Sequence, residues 1–366
     1  MKIKGLLGLV GSGICIITLI LLTLSFLAEA APPKEAPGKK EIIHWRGQAD
    51  FSKTLAPFGP FKLGHVGVYA QTEFMLDWIT KATNGRLKID FEPVGTLNPP
   101  GETFDMVRRG VYPVAFSTGP FYVGKMPETD IEVGLVFAFR DMFDLWDCYY
   151  NYGVYEELKR AYAEHKIYWI PVHSSSNVSV GATVPLDKPE RLKGKKIRAL
   201  GQFGDYIAAL GGTPVHIPLA EVYMGLKLGT VDGFVSGVSF LHSQKWSEVC
   251  KHFVLSPSCS LWTNNMLINL DAFKALPKDI QQTIDYYAPY VGFAAAQAWR
   301  QQDQWVINNV EEKFGIKFYT WSAEDTKKVT KMVIDQVWPK IAAKSPRNAR
   351  MIDLIKRQMR DHGRID

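Results

Sequence analysis

The side chains able to do chemistry in this sequence stand singly at the ends of apolar runs, as ligand-reading groups do, and form no catalytic set. Trp45 ends the run EIIHW, with Arg46 and Gln48 after it; Ser117 ends PVAFS, with Thr118 next; and Trp262 and Asn264 lie in SLWTNN. Hydroxyls and amides at strand ends read a ligand's polar groups, and tryptophan stacks on a ring. A purely structural residue at a strand end is the competing assignment for each. There is no Walker loop, no G-x-S-x-G elbow and no H-E-x-x-H. The eight histidines, at 44, 65, 165, 173, 216, 242, 252 and 362, include no i, i+4 pair, so no helix face offers two of them to a metal. Neither catalysis, nor a metal site, nor a cofactor is expected.

Two basic clusters stand out. Lys188, Arg191, Lys193, Lys195, Lys196 and Arg198 crowd into KPERLKGKKIR, which for all but one of them suits a solvated turn and strand edge. Arg347, Arg350, Lys356, Arg357, Arg360 and Arg364 accompany Ile352, Ile355 and Met359 at helical spacing. That pattern fits a basic amphipathic helix docked on its own protein or a partner, with membrane-surface binding as the alternative.

The 366 residues are 46% hydrophobic and 22% charged, which supports a real core in two domains and excludes a disordered or disulfide-stapled chain. A net charge of +6 over this length is too dilute to mark a nucleic-acid binder. Residues 1–30 differ from the rest: Lys2 and Lys4, an uncharged run from Gly5 to Ala28, then Ala28-Glu29-Ala30. This is the layout of a secretory signal, with cleavage expected after about Ala30; an uncleaved membrane anchor is the competing reading. Without Lys2, Lys4 and Glu29, the remaining 41 basic and 36 acidic groups leave an exported body of net +5. Cys148, Cys250 and Cys259 then remain; Cys250 and Cys259 are near enough in sequence to pair, or stay buried thiols.

Several elements must position these groups. Residues 31–40, rich in Pro and Lys, read as a flexible lead-in. Strands are expected at 41–45, 86–93 and 113–117, with helices at 67–83 and 101–109 between them; Phe74, Met75, Trp78 and Ile79 form the inner face of the first helix and Asn84-Gly85 its stop. A second block repeats the pattern: helix 155–165, strands 167–173, 195–200, 214–217 and 231–235, helices 205–210 and 219–228. Long helices follow over 278–314, 323–343 and 348–362. Two α/β units joined by extended segments place a cleft between them.

The segment 190–237, ERLKGKKIRALGQFGDYIAALGGTPVHIPLAEVYMGLKLGTVDGFVSG, resembles the extracytoplasmic solute-binding proteins of tripartite ATP-independent periplasmic (TRAP) transporters, through LKGKKIR, ALGGTPV, AEVY and GTVDG in order. NGRLKIDFEPVGTL, VRRGVYPVAFSTG and DAFKALPKDIQQTI agree, so the likeness covers about residues 41–345. It implies an α/β, two-lobed, type II-like periplasmic binding protein, each lobe a mixed sheet flanked by helices. Lobe I would comprise 41–172 plus about 258–290 and lobe II 173–257, with helix 278–314 bridging both and helices filling 315–366. It further implies hinge closure on an organic acid and delivery to a membrane permease.

In the family the arginine of the KIR strand pairs with the ligand carboxylate, which maps to Arg198; a guanidinium grips both carboxylate oxygens through parallel bonds, as lysine does not. The chain departs from the family in three places. Phe234-Val235-Ser236-Gly237 follows VDG without the usual carboxylate or amide, Leu219 replaces a phenylalanine, and Asn177 stands nearest a second arginine. These changes point to a monocarboxylate with an apolar or aromatic body. A ligand sensor addressing a signalling receptor, or an enzyme reusing the cleft, are the alternatives.

Overall fold

Alternation along IHWRGQA builds the first strand, β1 (Ile43–Ala49), burying Trp45 and exposing His44 and Arg46. The computed structural model describes residues 41–51, 56–57, 65–66, 68–99 and 101–365, apart from the side chains of 56–57, 65–66, 68–71, 173–177 and 298. The expected signal segment and lead-in lie outside the described residues. Residues Ile42–Asp366 fold as one unit.

The remaining strands are β2 (Ala56–Pro57) and β3 (His65–Val66), a short antiparallel pair, then β4 (Leu87–Glu92), β5 (Val114–Ser117), β6 (Ile167–Ala182), β7 (Lys196–Arg198), β8 (Thr213–Val215), β9 (Gly233–Gly237), β10 (His252–Ser256), β11 (Ser260–Asn269) and β12 (Lys317–Thr320). The main sheet runs β4-β1-β5-β11-β6-β9-β7-β8, with β10 joining β6 to β12. Its two wings are parallel: β1 with β4 and β5, and β7 with β8 and β9. Between them β6 and β11 run antiparallel to each other and to the adjoining β9 and β5. The two mixed sheets expected of two lobes are thus continuous, because the 16-residue β6 and 10-residue β11 cross from one wing to the other. Gly47 allows this packing: a Cβ there would lie 1.8 Å from the Val114 carbonyl oxygen of β5.

The helix Val68–Ala82 buries Met75 and Ile79, half-buries Phe74 and Trp78, and ends at Asn84 and Gly85, both with positive φ. The helix expected over 323–343 is two, Ala323–Gln336 and Trp338–Ala342, since Pro339 supplies no N–H to continue the ladder. The helix Met142–Asn151 was not anticipated; Asp141 caps it by accepting from the amides of Phe143 and Asp144 at 2.8 and 3.0 Å.

The long helix Lys278–Phe314 has 37 residues, about 55 Å of rise. Its Ile280, Ile284 and Val291 pack in the core beside β1 and β4, while Val306 and Val310 pack with Phe234, Trp246 and Phe253 of the other wing. Ile352, Ile355 and Met359 of the helix Pro346–Asp361 are buried in the largest core cluster. Cys148, Cys250 and Cys259 are free and buried, so Cys250 and Cys259 do not pair. Among the described residues no helix is long and apolar enough to cross a membrane.

Candidate functional site

Between the wings lies a cavity of about 60 Å³, walled by Phe51, Thr118 and Phe121 from one side and Arg198, Leu219 and Val235 from the other. The crossing strands add Val178, Trp262 and Asn264, Ser236 and Ser239 come from β9 and the turn after it, and the long helix adds Trp299. A water needs about 10–15 Å³ on this measure, so the space suits a small organic molecule more than isolated solvent.

Arg198 ends β7, whose neighbours β8 and β9 run parallel to it, and C-terminal ends of parallel strands are where open α/β sheets bind ligands. The residue is only 6% exposed. Among the described residues its guanidinium makes one hydrogen bond, from Nε to the Ile217 carbonyl oxygen at 3.3 Å, and no carboxylate pairs with it. Burial alone pulls the guanidinium down to about 10, so it still carries its full charge at neutral pH. A buried cation without a counter-charge is costly, and an anion entering the cavity supplies the missing partner.

Two further donors face the same space. Ser239 Oγ and Trp299 Nε1 are buried and find no hydrogen-bond partner among the described residues. Neither was anticipated, since Trp299 sits in a helix whose apolar spacing reads as core and Ser239 in a turn without a motif. Around these donors the walls are largely apolar: Phe51 packs against Phe121 at 5.9 Å between ring centroids, and Trp262 stacks on Phe203 at 5.9 Å and 13°. Trp262 Nε1 donates to Asn264 Oδ1 at 3.0 Å, which fixes the indole's orientation in the wall.

Of the residues expected to meet ligand, Arg198, Thr118, Leu219, Ser236, Trp262 and Asn264 line this cavity. The others are placed elsewhere. Phe234 packs on Trp246 at 4.4 Å, and its ring fills the place where a Cβ on Gly181 would fall, 2.4 Å away; on a strand it points opposite to Val235. Trp45 lies in the core, and exposed Arg46 pairs with Glu92 at 2.7 Å. The backbone of Asn177 pairs with Leu261, while its side chain lies outside the described residues.

Gln48 and Ser117 belong to a buried network beneath the cavity wall. Ser117 Oγ donates to Asp50 Oδ2 at 2.5 Å, Thr103 Oγ1 donates to Asp50 Oδ1, and Gln48 Oε1 accepts from the Leu97 amide at 2.8 Å. Burial raises the Asp50 pKa, and the hydroxyl donors only partly offset it. This network anchors β1 immediately before Phe51 and β5 immediately before Thr118. A second network supports the turn carrying Thr118 and Phe121. Glu132 accepts from Tyr162 Oη at 2.5 Å, Asn265 Nδ2 at 2.6 Å and Trp169 Nε1 at 3.0 Å. Burial outweighs these donors and pushes Glu132 up to about 7.

Residues 66–345 match the family described as bacterial extracellular solute-binding protein, family 7. The ectoine-binding periplasmic protein TeaA of Halomonas elongata is 27% identical over 166 residues, 45% of this chain and 46% of that protein. The monocarboxylate 2-oxoacid-binding periplasmic protein of Nostoc sp. is 23% identical over 255 residues, 66% of this chain and 64% of that one. The chain spans about half to two thirds of the length of these two relatives. A TRAP transporter solute-binding protein of Bordetella bronchiseptica, solved with calcium and picolinate, has a TM-score of 0.75 at 18% identity, covering 88% of this chain and 93% of that one. At that identity the likeness shows the fold, a two-lobed binding protein with a mixed sheet flanked by helices. Fold, cavity and a match over most of the chain converge: this protein belongs to the bacterial extracellular solute-binding proteins of family 7.

Proposed function

We propose that this protein is exported, captures a small organic acid in the cavity at Arg198 by closing its wings on it, and delivers it to a TRAP-type membrane permease without transforming it. The observation that carries this reading is the buried, unpaired guanidinium of Arg198. Ser239 and Trp299 add neutral donors to the same space. Together they favour an anion with one carboxylate and one further oxygen, on a body small and apolar enough for the remaining walls.

A monocarboxylate fits better than a dicarboxylate, since among the described residues Arg198 is the one cationic side chain lining the cavity. The names of the Nostoc and Bordetella proteins, one a monocarboxylate binder and one holding picolinate, agree with that class. Because an acid that binds the closed form better than the open one shifts the population, capture itself would prepare the form the permease accepts. The test is a melting-temperature screen against mono-, di- and aromatic carboxylates, followed by calorimetry on the best of them. A ligand that binds only the folded form raises the melting temperature. Failure of every acid to do so overturns the proposal, and turnover of the bound acid would move the protein into the enzymes.

A further inference from the structure

The basic C-terminal run is not used by the ligand cavity. It forms one wall of a separate groove of about 1080 Å³, between the helices Ala323–Gln336 and Pro346–Asp361, closed at its base by the loop Phe137–Arg140 and the turn Ser256–Ser258. Six cations line it: Arg140, Lys327, Lys331, Lys356, Arg360 and Arg364. Two carboxylates oppose them. Asp144 is shared by Arg140 Nε at 2.8 Å and Arg364 Nη1 at 2.9 Å, and Asp335 receives Lys331 Nζ at 2.9 Å. Lys327, Lys356 and Arg360 have no ion pair among the described residues. The floor is apolar, with Phe139, Trp321 and Met359 at its base and half-buried Ile334 and Ile365 beside them.

The volume lies at the upper edge of the roughly 300–1,000 Å³ of small-molecule pockets, room for an extended chain. Its unpaired cations are on long side chains at the rim, and Lys327 and Arg360 are exposed. Each solvated contact of this kind is weak, so affinity has to accumulate over several. A partner therefore needs several carboxylates spaced along one chain, with apolar side chains between them to meet the floor. A bilayer surface would touch the rim but not enter the groove. No residue that lines the groove also lines the cavity at Arg198, so the two are separate sites.

We propose that this groove docks an acidic segment of a partner protein, its carboxylates on Lys327, Lys356 and Arg360 and its apolar side chains on the floor.

The test is fluorescence anisotropy of the purified protein with three probes: a labelled peptide alternating Glu with Leu, a poly-Glu peptide of equal length, and vesicles of phosphatidylcholine with phosphatidylglycerol. The alternating peptide should bind best and weaken about tenfold between about 50 and 300 mM salt. The variant Lys327→Glu/Lys356→Glu/Arg360→Glu should weaken it at least about tenfold, while Arg198→Ala leaves it unchanged. Should charge reversal unfold the protein, the triple glutamine variant at the same positions serves, with a smaller loss expected. Equal binding by the original protein and the variant overturns the proposal. So does poly-Glu binding as tightly as the alternating peptide, or vesicle binding in place of peptide binding.

Discussion

The cavity at Arg198 and the groove at the C-terminal helices are both basic, yet they are opposite solutions. Among the described residues the cavity holds a single guanidinium, buried and without a carboxylate partner; the groove holds six cations, several of them solvated or already paired. Anion affinity does not follow the number of charges. A buried cation has lost its water and gains nearly the whole of a charge-assisted bond when an anion arrives, whereas an exposed one exchanges one polar partner for another. One residue can therefore define a small-molecule site, while a larger set of exposed residues suits only an extended partner.

The strongest challenge to this contrast is Arg198→Ala. It should lower affinity for the identified acid by about a hundredfold, the equivalent of about 2.7 kcal/mol, with Arg198→Lys recovering part of it because charge returns without the fork. Calorimetry showing less than about a threefold change would place the anion elsewhere. The pH profile belongs to the same test. With the empty-state guanidinium at about 10, affinity should be flat between about pH 5 and 8 and fall as pH approaches that value, because the free protein then begins to lose the proton that binding requires.

Glu132 supplies the comparison with a buried acid. Arg198 stays charged because its ordinary value lies far above neutrality, but burial carries Glu132 up to about 7, into the physiological range. A raised carboxyl pKa means that the folded state holds the proton more tightly. Stability from this group is full below its unfolded value near 4.5 and is lost as pH rises through about 7, a change of about 3 kcal/mol. Urea denaturation at about pH 5 and pH 8 should show this loss in the wild type and a smaller one in Glu132→Gln. Identical pH dependence in the two proteins would mean that the carboxylate is stabilised more fully than its three donors suggest.

Smaller effects sharpen the picture of the cavity. Trp299→Phe keeps the ring and removes the unpartnered Nε1, so it should weaken an oxygen-bearing acid by about fivefold and an acid lacking that oxygen hardly at all. An equal loss for both ligands would assign Trp299 to packing. Ionic strength should be the weakest lever: raising salt from about 50 to about 300 mM is expected to change affinity at the cavity less than about threefold, because its cation is shielded from solvent. A steep dependence there would erase the difference between the two regions.

Much of the scaffold was legible before any coordinates. The long helix runs over the expected residues 278–314, because Pro277 precedes its first turn and Gly315, at φ 65°, ends it in a conformation few residues tolerate. The parallel wings follow from the alternation of strands and helices. The full extent of β6 was not legible: its continuation through SSSNVSV lacks apolar alternation, and pairing with β9 and β11 makes it a strand. The cavity was legible only in part. Arg198 and Thr118 stand at strand ends, but Phe234 looked equivalent to its neighbours until strand geometry turned it toward Trp246.

The sequence by itself determined most of the elements, the covered helix faces and the family, because those depend on local spacing and ordered motifs. Which cations are buried and which remain solvated was decided only by the tertiary structure. Lys193, Lys195, Lys196 and Arg198 are indistinguishable as a basic run, and the end of β7 leaves Arg198 alone among them in the cavity wall. The physical reason is desolvation: a charge becomes a binding group when surrounding chain removes its water, and most of that chain comes from elements distant in sequence, β8, β9 and the far wing.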